Sequence, residues 1–263
     1  MPAALDQDLK LALELADLAD RITMARYRAD DLQVETKPDR TPVTEADRAV
    51  EQALRQHLSR SRPADAVLGE EMGETPGASA SRRWIIDPID GTKSYLRGMP
   101  TWATLVALEV DGEVAVGVAS MPALGHRWWA ARDSGAFCDG HPIRVSGVSE
   151  LADAQLCWSG VHEWDEVGRL GTLLALSRAC WRTRGVGDAW QYMLVAEGAA
   201  DVAVDPSVSL WDMAAVKIIV EQAGGAFTDL HGVITASGGS GLATNGLLHQ
   251  AVLEYIGIPA AAN

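Results

Sequence analysis

The change in hydrophobic rhythm near Ser149 constrains the fold of this chain more than any other feature. Beyond it, the short runs "AQLCWS", "CWRTR", "DVAV" and "AFTDL" alternate with helical stretches around residues 166–176, 190–197 and 211–223. Strands separated by helices need crossover connections, which predict a mostly parallel sheet. Before Ser149 the pattern differs. "TWATLVALEV" and "EVAVGVAS" flank Asp111-Gly112, a pair that accepts positive φ and predicts a tight antiparallel hairpin; "HRWWAAR" and "GAFCDG" predict more antiparallel pairing. Two helices precede these strands. Leu11, Leu15, Leu18, Ile22 and Ala25 recur at helical spacing and predict an amphipathic helix ending near Tyr27. "TPVTEADRAVEQALRQHL" predicts a second, with Thr44 as cap, Asp47 three residues on, and a stripe of Val50, Leu54 and Leu58. The segment holding Lys37, Pro38 and Pro42 reads as a polar loop, and "MGETPGASASRR" as a surface loop. The expected organisation is an α+β half over residues 1–149 and an α/β half over 150–263.

Composition excludes several function classes. With 263 residues, 48% of them hydrophobic, the chain can bury a substantial core. A formal net charge of −14 without a basic run argues against nucleic-acid binding, which rests on Lys and Arg neutralising phosphates. An acidic protein acting on a phosphorylated substrate then needs a local remedy, such as bound cations or helix amides. Cys138, Cys157 and Cys180 are widely spaced and odd in number, which supports neither a disulfide framework nor a zinc knuckle. The N-terminus carries acidic residues where a signal peptide needs positive charge, and no apolar run approaches the roughly 20 residues of a membrane span. A cytoplasmic protein without membrane attachment is expected.

Acidic residues recur at strand ends and helix starts. In "WIIDPIDGT", residues 84–92, a strand-like run ends in Asp87 and Asp90 around a proline; Glu70 and Glu71 follow "AVLG"; Asp47 opens the second helix; Asp212 opens "LWDMAAVKIIVEQAGG". Each has a purely structural reading. Asp47 completes a capping box with Thr44, Asp212 favours a helix dipole, Glu70-Glu71 is a solvated loop, and Asp-Pro-x-Asp-Gly is a turn. Together they suit hard divalent cations, which take several oxygen ligands, and two carboxylates around a stiff turn can hold neighbouring ions at about 3.5–4 Å. Without cations such a cluster repels itself.

"GEE", "WIIDPIDGTKSY" and "WDMAAVKIIVEQAGG", in this order and with "PVTEAD" ahead of them, resemble the signature motifs of the inositol monophosphatase superfamily over nearly the whole chain. The stretches "DGTKSYLRGMPTWATLVAL" and "GDAWQYMLVAEGAADVAVDPSVSLWD" look most like its bacterial histidinol-phosphate phosphatase branch. The resemblance implies a layered αβαβα sandwich, with an antiparallel sheet in the N-terminal half and a mostly parallel one in the C-terminal half. It implies Mg²⁺, two or three ions per site, held by Glu70, Asp87, Asp90, Asp212 and the carbonyl of Ile89. It makes Thr92 and Asp47 the water-activating pair, places the amides of Gly91 and Thr92 on phosphate, gives Glu71 a supporting catalytic role, and aligns Lys37 with a lysine near the site. The implied reaction is direct hydrolysis of a phosphate monoester, without a phosphoenzyme, by a homodimer acting on a small phosphorylated metabolite.

Substrate choice falls to residues outside the metal shell. By motif alignment Asp205 stands where inositol phosphatases carry a glutamate for sugar hydroxyls, with Asp188 and Trp190 nearby. Two carboxylates and an aromatic wall suit the ammonium and imidazole of histidinol phosphate, and would also accept polyol hydroxyls. Each also reads structurally: Asp188 as a turn residue, Asp205 as a pre-proline loop residue, Trp190 as a core anchor. The alternatives are an inositol-1-monophosphatase, a broad sugar-phosphate phosphatase, and a non-catalytic metal-binding homologue. Ser94 and Tyr95 replace the asparagine and phenylalanine common in the superfamily and bear on local loop packing.

Overall fold

The structure, a computed structural model, describes residues 3–38, 40–79 and 81–257. In chain order the elements are α1 (Ala3–Arg26), β1 (Val34–Thr36), β2 (Pro42–Thr44), α2 (Glu45–Ser61), β3 (Ala66–Gly69), β4 (Gly73–Thr75), β5 (Arg82–Asp90), α3 (Thr92–Leu96), β6 (Ala103–Val110), β7 (Glu113–Met121), β8 (His126–Ala131), β9 (Ala136–Cys138) and β10 (His141–Ile143). Then follow β11 (Gln155–Trp158), α4 (Val161–Glu166), α5 (Leu170–Ala179), β12 (Arg182–Gly185), α6 (Asp188–Ala196), β13 (Val202–Asp205), α7 (Leu210–Gln222), β14 (Ala226–Thr228), β15 (Gly241–Thr244) and α8 (His249–Ile256).

Three apolar interfaces build an αβαβα stack. The outer face of an eight-stranded sheet, ordered β10-β9-β8-β7-β6-β5-β3-β4, packs on α1 and α2 through Leu11, Leu15, Val50, Leu54, Trp84 and Leu108. Its inner face meets α6 and α7, which also cover the second sheet, so Met193, Val216, Ile219 and Phe227 form the central core. The outer face of the second sheet is covered by α4, α5 and α8 through Trp164, Leu173, Leu176 and Val252. Among the described residues no helix is long and apolar enough to cross a membrane.

One pairing in the large sheet matters most for the site. All its neighbours are antiparallel except β3 and β5, which run parallel with Gly69 opposite Ile86. The carboxyl ends of both strands therefore open at one level, and Glu70 leaves the sheet beside Asp87.

Local details depart from the sequence expectation. The buried stripe of α1 runs through Leu11, Ala12, Leu15, Ala16, Ala19 and Thr23, whereas Ala25 is exposed. Alanines let the helix approach the sheet closely, at the cost of the hydrophobic signal that Leu18 and Ile22 carried. The expected loop around Lys37 is a ribbon of β1 and β2, and part of the second loop pairs as β4. Both are three-residue strands, and β1 and β4 are fully exposed, so no alternation marks them. The helix expected around residues 166–176 is two, α4 and α5.

The C-terminal sheet, ordered β12-β11-β13-β15-β14, is mixed: β11 pairs parallel with β12 and β13, while β15 pairs antiparallel with both β13 and β14. The sequence reading missed β15. Its "GLAT" is buried so tightly that a Cβ on Gly241 would lie 2.8 Å from Tyr192 Oη and 2.9 Å from Met213 Sδ. Close approach selects small residues there and removes the β-branched signature of a strand.

His249 ties α8 to this sheet. Thr228 Oγ1 donates to Asp229 O (2.8 Å), so it accepts from Nε2–H of His249 (3.1 Å), leaving Nδ1 to accept from the Thr244 hydroxyl (3.0 Å). Burial pushes this imidazole down to about 4 from its ordinary 6.5. The unfolded chain thus binds a proton that the folded one refuses, so the stability His249 provides is complete above about pH 6.5 and is lost as pH falls towards 4. The difference in urea midpoint between wild type and His249→Gln is expected to shrink over that window. A constant difference would show that the ring stays neutral for another reason.

Candidate active site

Four helix starts and two strand ends meet at one point. β5 does not stop at Asp87 to form a simple turn; it continues to Asp90 with a register shift against β6 between the two aspartates. Such an irregularity re-aims side chains at a strand end. Asp87 and Asp90, 2% and 8% exposed, turn towards Asp212 in the first turn of α7, and one carboxylate oxygen from each lies within 4.8 Å of the others. Asp212 also closes a capping box, its Oδ2 accepting from Ser209 N at 2.7 Å. Asp90 Oδ2 accepts from Ala189 N at the start of α6 (2.6 Å). The site therefore joins the two sheets.

The electrostatics are unfavourable as they stand. Burial, then the charges of Glu70, Asp90 and Asp212, push the Asp87 carboxyl well above its ordinary range; burial, then Asp188 and Asp212, do the same to Asp90. Asp212 is raised to about 6, again by burial first, with Glu70 adding to it. Asp87 Oδ1 is buried with no hydrogen-bond partner among the described residues. An unpartnered oxygen and three converging carboxylates fit a hard divalent cation such as Mg²⁺. Asp87, Asp90 and Asp212 could hold it directly, with Glu70 at the edge.

Asp47 serves two partners at once. Its Oδ2 accepts from Thr44 N (2.8 Å) and Thr44 Oγ1 (2.6 Å), completing the cap of α2, while Oδ1 faces Thr92 Oγ1 at 3.4 Å. Capping of α2 through Oδ2 thus leaves Oδ1 turned towards Thr92. Burial raises its pKa, and the Thr44 hydrogen bonds lower it. Thr92 Oγ1 is also 3.0 Å from Ile89 O, so the hydroxyl proton has two acceptors. Gly91 caps α3 with φ 80°, and a Cβ there would sit 2.8 Å from Asp188 Oδ2; both facts require glycine. The first amides of a helix have no intrahelical partner, so those of α3 are open to an acceptor.

Glu70 and Glu71 are bridged by Lys37, whose Nζ lies 2.7 Å from Glu70 Oε1 and 2.6 Å from Glu71 Oε1. Burial opposes the lysine's charge, yet the two carboxylates outweigh it and hold its pKa above the ordinary value. Glu51, which the sequence reading passed over, shapes this turn. It is fully buried, accepts from Glu71 N (2.7 Å) and Met72 N (3.1 Å), and is paired with Arg55 Nε (2.8 Å). A Cβ on Gly69 would meet Glu51 Oε1 at 2.2 Å. One signal was available: Glu51 lies one helical turn beyond Asp47 on the same face.

The expected specificity residues separate. Asp188 lies beside Gly91 at φ 52°, its carboxyl raised to about 7 by burial and then by Asp205, Glu163 and Asp212. Asp205 is buried behind it, and its Oδ2 is already committed to Tyr192 Oη (2.7 Å) and Gln191 Nε2. Trp190 is partly buried against the central core. Tyr95 anchors α3: its Oη donates to Thr23 O at 2.7 Å, and its ring meets Trp102 edge-on.

The profile of the inositol monophosphatase family matches residues 4–257. The chain belongs to that family. It is 53% identical to the histidinol-phosphatase of Streptomyces coelicolor over 97% of this chain and 98% of that protein. Identity to the histidinol-phosphatase of Mycobacterium tuberculosis is also 53%, over 95% and 97% respectively. Among solved structures, an inositol monophosphatase from Zymomonas mobilis superposes with a TM-score of 0.86 at 31% identity, covering 97% of this chain and all of that one.

If the carboxylate cluster is the cation site, Mg²⁺ stabilises the folded chain by linkage, about 2.7 kcal/mol at a hundred times its dissociation constant. Wild type is expected to gain several degrees in melting temperature with Mg²⁺. Asp90→Asn is expected to melt higher than wild type without metal, having lost one buried charge, and to respond little to Mg²⁺. A full Mg²⁺ response in the variant would remove Asp90 from the site.

Proposed function

We propose that this protein is a divalent-cation-dependent phosphate monoester hydrolase whose substrate is L-histidinol phosphate, releasing L-histidinol and phosphate. The convergence of Asp87, Asp90 and Asp212 beside the Thr92–Asp47 pair supports the reaction class. The 53% identity to two histidinol-phosphatases over nearly the whole chain supports the substrate.

Asp87, Asp90 and Asp212 would hold the cation, with Glu70 and the Ile89 carbonyl next to them. A bound divalent cation supplies Lewis-acid stabilisation of charge on the phosphoryl group. The chain's own residues do the rest. Thr92 Oγ1 receives a proton from the attacking water as it passes its own to Asp47 Oδ1, and the cap bonds from Thr44 hold that carboxylate in place. The amides of Gly91 and Thr92 orient phosphate oxygens at the start of α3. Lys37 and Glu51 fix the Glu70-Glu71 turn, leaving Glu71 a supporting role. Asp188, with the buried Asp205 and the half-buried Glu163 acting on it, makes an anionic wall suited to the substrate's ammonium group. Trp190 belongs to the scaffold of that wall.

Asp47→Asn and Thr92→Val are each expected to lower kcat by about 10²–10⁴ with little change in KM, read from phosphate release at saturating Mg²⁺. Wild-type rates in both would exclude the proton relay. For the substrate, kcat/KM for histidinol phosphate is expected to exceed that for inositol 1-phosphate by well over about tenfold. Preference for the inositol ester would overturn the substrate and leave the hydrolase reading standing.

A further inference from the structure

Among the described residues a second group of metal-ligating side chains clusters away from the carboxylates: His126, Cys138 and Asp139, whose donor atoms lie within 4.8 Å of one another. They sit where β8 begins and β9 ends, three strands from β5 in the sheet order. We propose that these three residues form a separate metal site for a borderline-soft cation such as Zn²⁺, selective against Mg²⁺ by its sulfur and nitrogen donors.

The geometry is largely built. His126 Nδ1 and Asp139 Oδ2 are hydrogen-bonded to each other at 2.7 Å, so a cation entering there exchanges that hydrogen bond for two coordinate bonds. Asp139 is oriented by its neighbours: Oδ1 accepts from Arg127 N at 2.8 Å, which turns Oδ2 towards His126. Its backbone, at φ 49°, and Gly140, at φ 84°, form the tight turn that folds β10 back on β9 and brings the carboxylate beside Cys138. The Arg127 guanidinium does not fill the spot, since it is drawn off to Asp17 (2.7 Å) and Asp20 (2.6 Å). The imidazole and carboxylate are about half exposed, so a cation has an entry path.

Cys138 supplies the selectivity. Zn²⁺ takes thiolate, imidazole and carboxylate donors in tetrahedral array, about 3.3–3.8 Å apart at its usual bond lengths, so binding widens the His126–Asp139 contact from 2.7 Å and draws in Cys138, which lies within 4.8 Å of both. Glu197, hydrogen-bonded by Trp128 Nε1, lies beside the Cys138 thiol. Burial first, then Glu197 and Asp139, push this thiol up. Binding therefore replaces the S–H proton by the metal and releases one proton to solvent, with no change of oxidation state. Mg²⁺ gains nothing from sulfur and stays with the oxygen cluster.

The test uses Co²⁺ as a spectroscopic stand-in for Zn²⁺, added to the full chain in excess Mg²⁺. Wild type is expected to show a thiolate-to-cobalt charge-transfer band saturating at one equivalent and displaced by Zn²⁺. Cys138→Ser is expected to lose the band, and His126→Ala to bind Co²⁺ about tenfold more weakly or worse. Phosphate release at saturating Mg²⁺ should match wild type in both, which shows the fold intact. Independently of any variant, Zn²⁺ is expected to slow alkylation of Cys138 in wild type. Absence of the band, its survival in Cys138→Ser, unchanged affinity in His126→Ala, or unaltered alkylation would each overturn the proposal.

Discussion

Everything in this structure is arranged around like charges forced together in a buried place. At an effective dielectric of about 20, two carboxylates about 4 Å apart repel by about 4 kcal/mol. Three such pairs rival the whole stability of an ordinary domain, about 5–15 kcal/mol. Asp87, Asp90 and Asp212 accept this placement, and their raised pKa values express its cost. The surroundings offset part of it. The starts of α2, α3, α6 and α7 face the cluster, Ala189 N donates to Asp90, Ser209 N donates to Asp212, and Lys37 offsets part of the charge of the neighbouring Glu70-Glu71 turn. The remainder is what a divalent cation would relieve.

The layered frame makes that convergence possible. A single parallel pair in an otherwise antiparallel sheet sets Glu70 level with Asp87, and the irregularity at the end of β5 turns Asp90 inward. The helices between the sheets supply the rest: α7 brings Asp212 and α6 brings Ala189 and Asp188, both anchored by the central apolar core. Neither sheet alone contains a complete site. The same principle explains the close glycines. Gly69 leaves room for Glu51, Gly91 for Asp188, and Gly241 for Tyr192 and Met213.

Much of this was legible in the sequence because the acidic residues sit at motif positions with few conformational options. Thr44 and Asp47 announced their cap by a spacing of three, and the cap holds. Asp87 and Asp90 were readable as a pair of convergent carboxylates, although β5 extends through them where a turn was expected. What escaped had no periodic signal. The strand β15 is built of small residues because the core leaves no space, β1 and β4 are three exposed residues each, and Glu51 looks like any charged helix residue until its amide partners are seen. For Asp205 the alignment could not show the packing: its Oδ2 accepts from Tyr192 and Gln191, while Oδ1 has no partner among the described residues.

The central claim is that buried carboxylates from both halves of the chain share divalent cations. Anomalous diffraction from crystals grown with Mn²⁺ tests it most directly. The account predicts a strong peak within coordination distance of Asp87, Asp90 and Asp212 together. Well-ordered crystals with no peak there, or with the three side chains hydrogen-bonded only to protein and water, would contradict it.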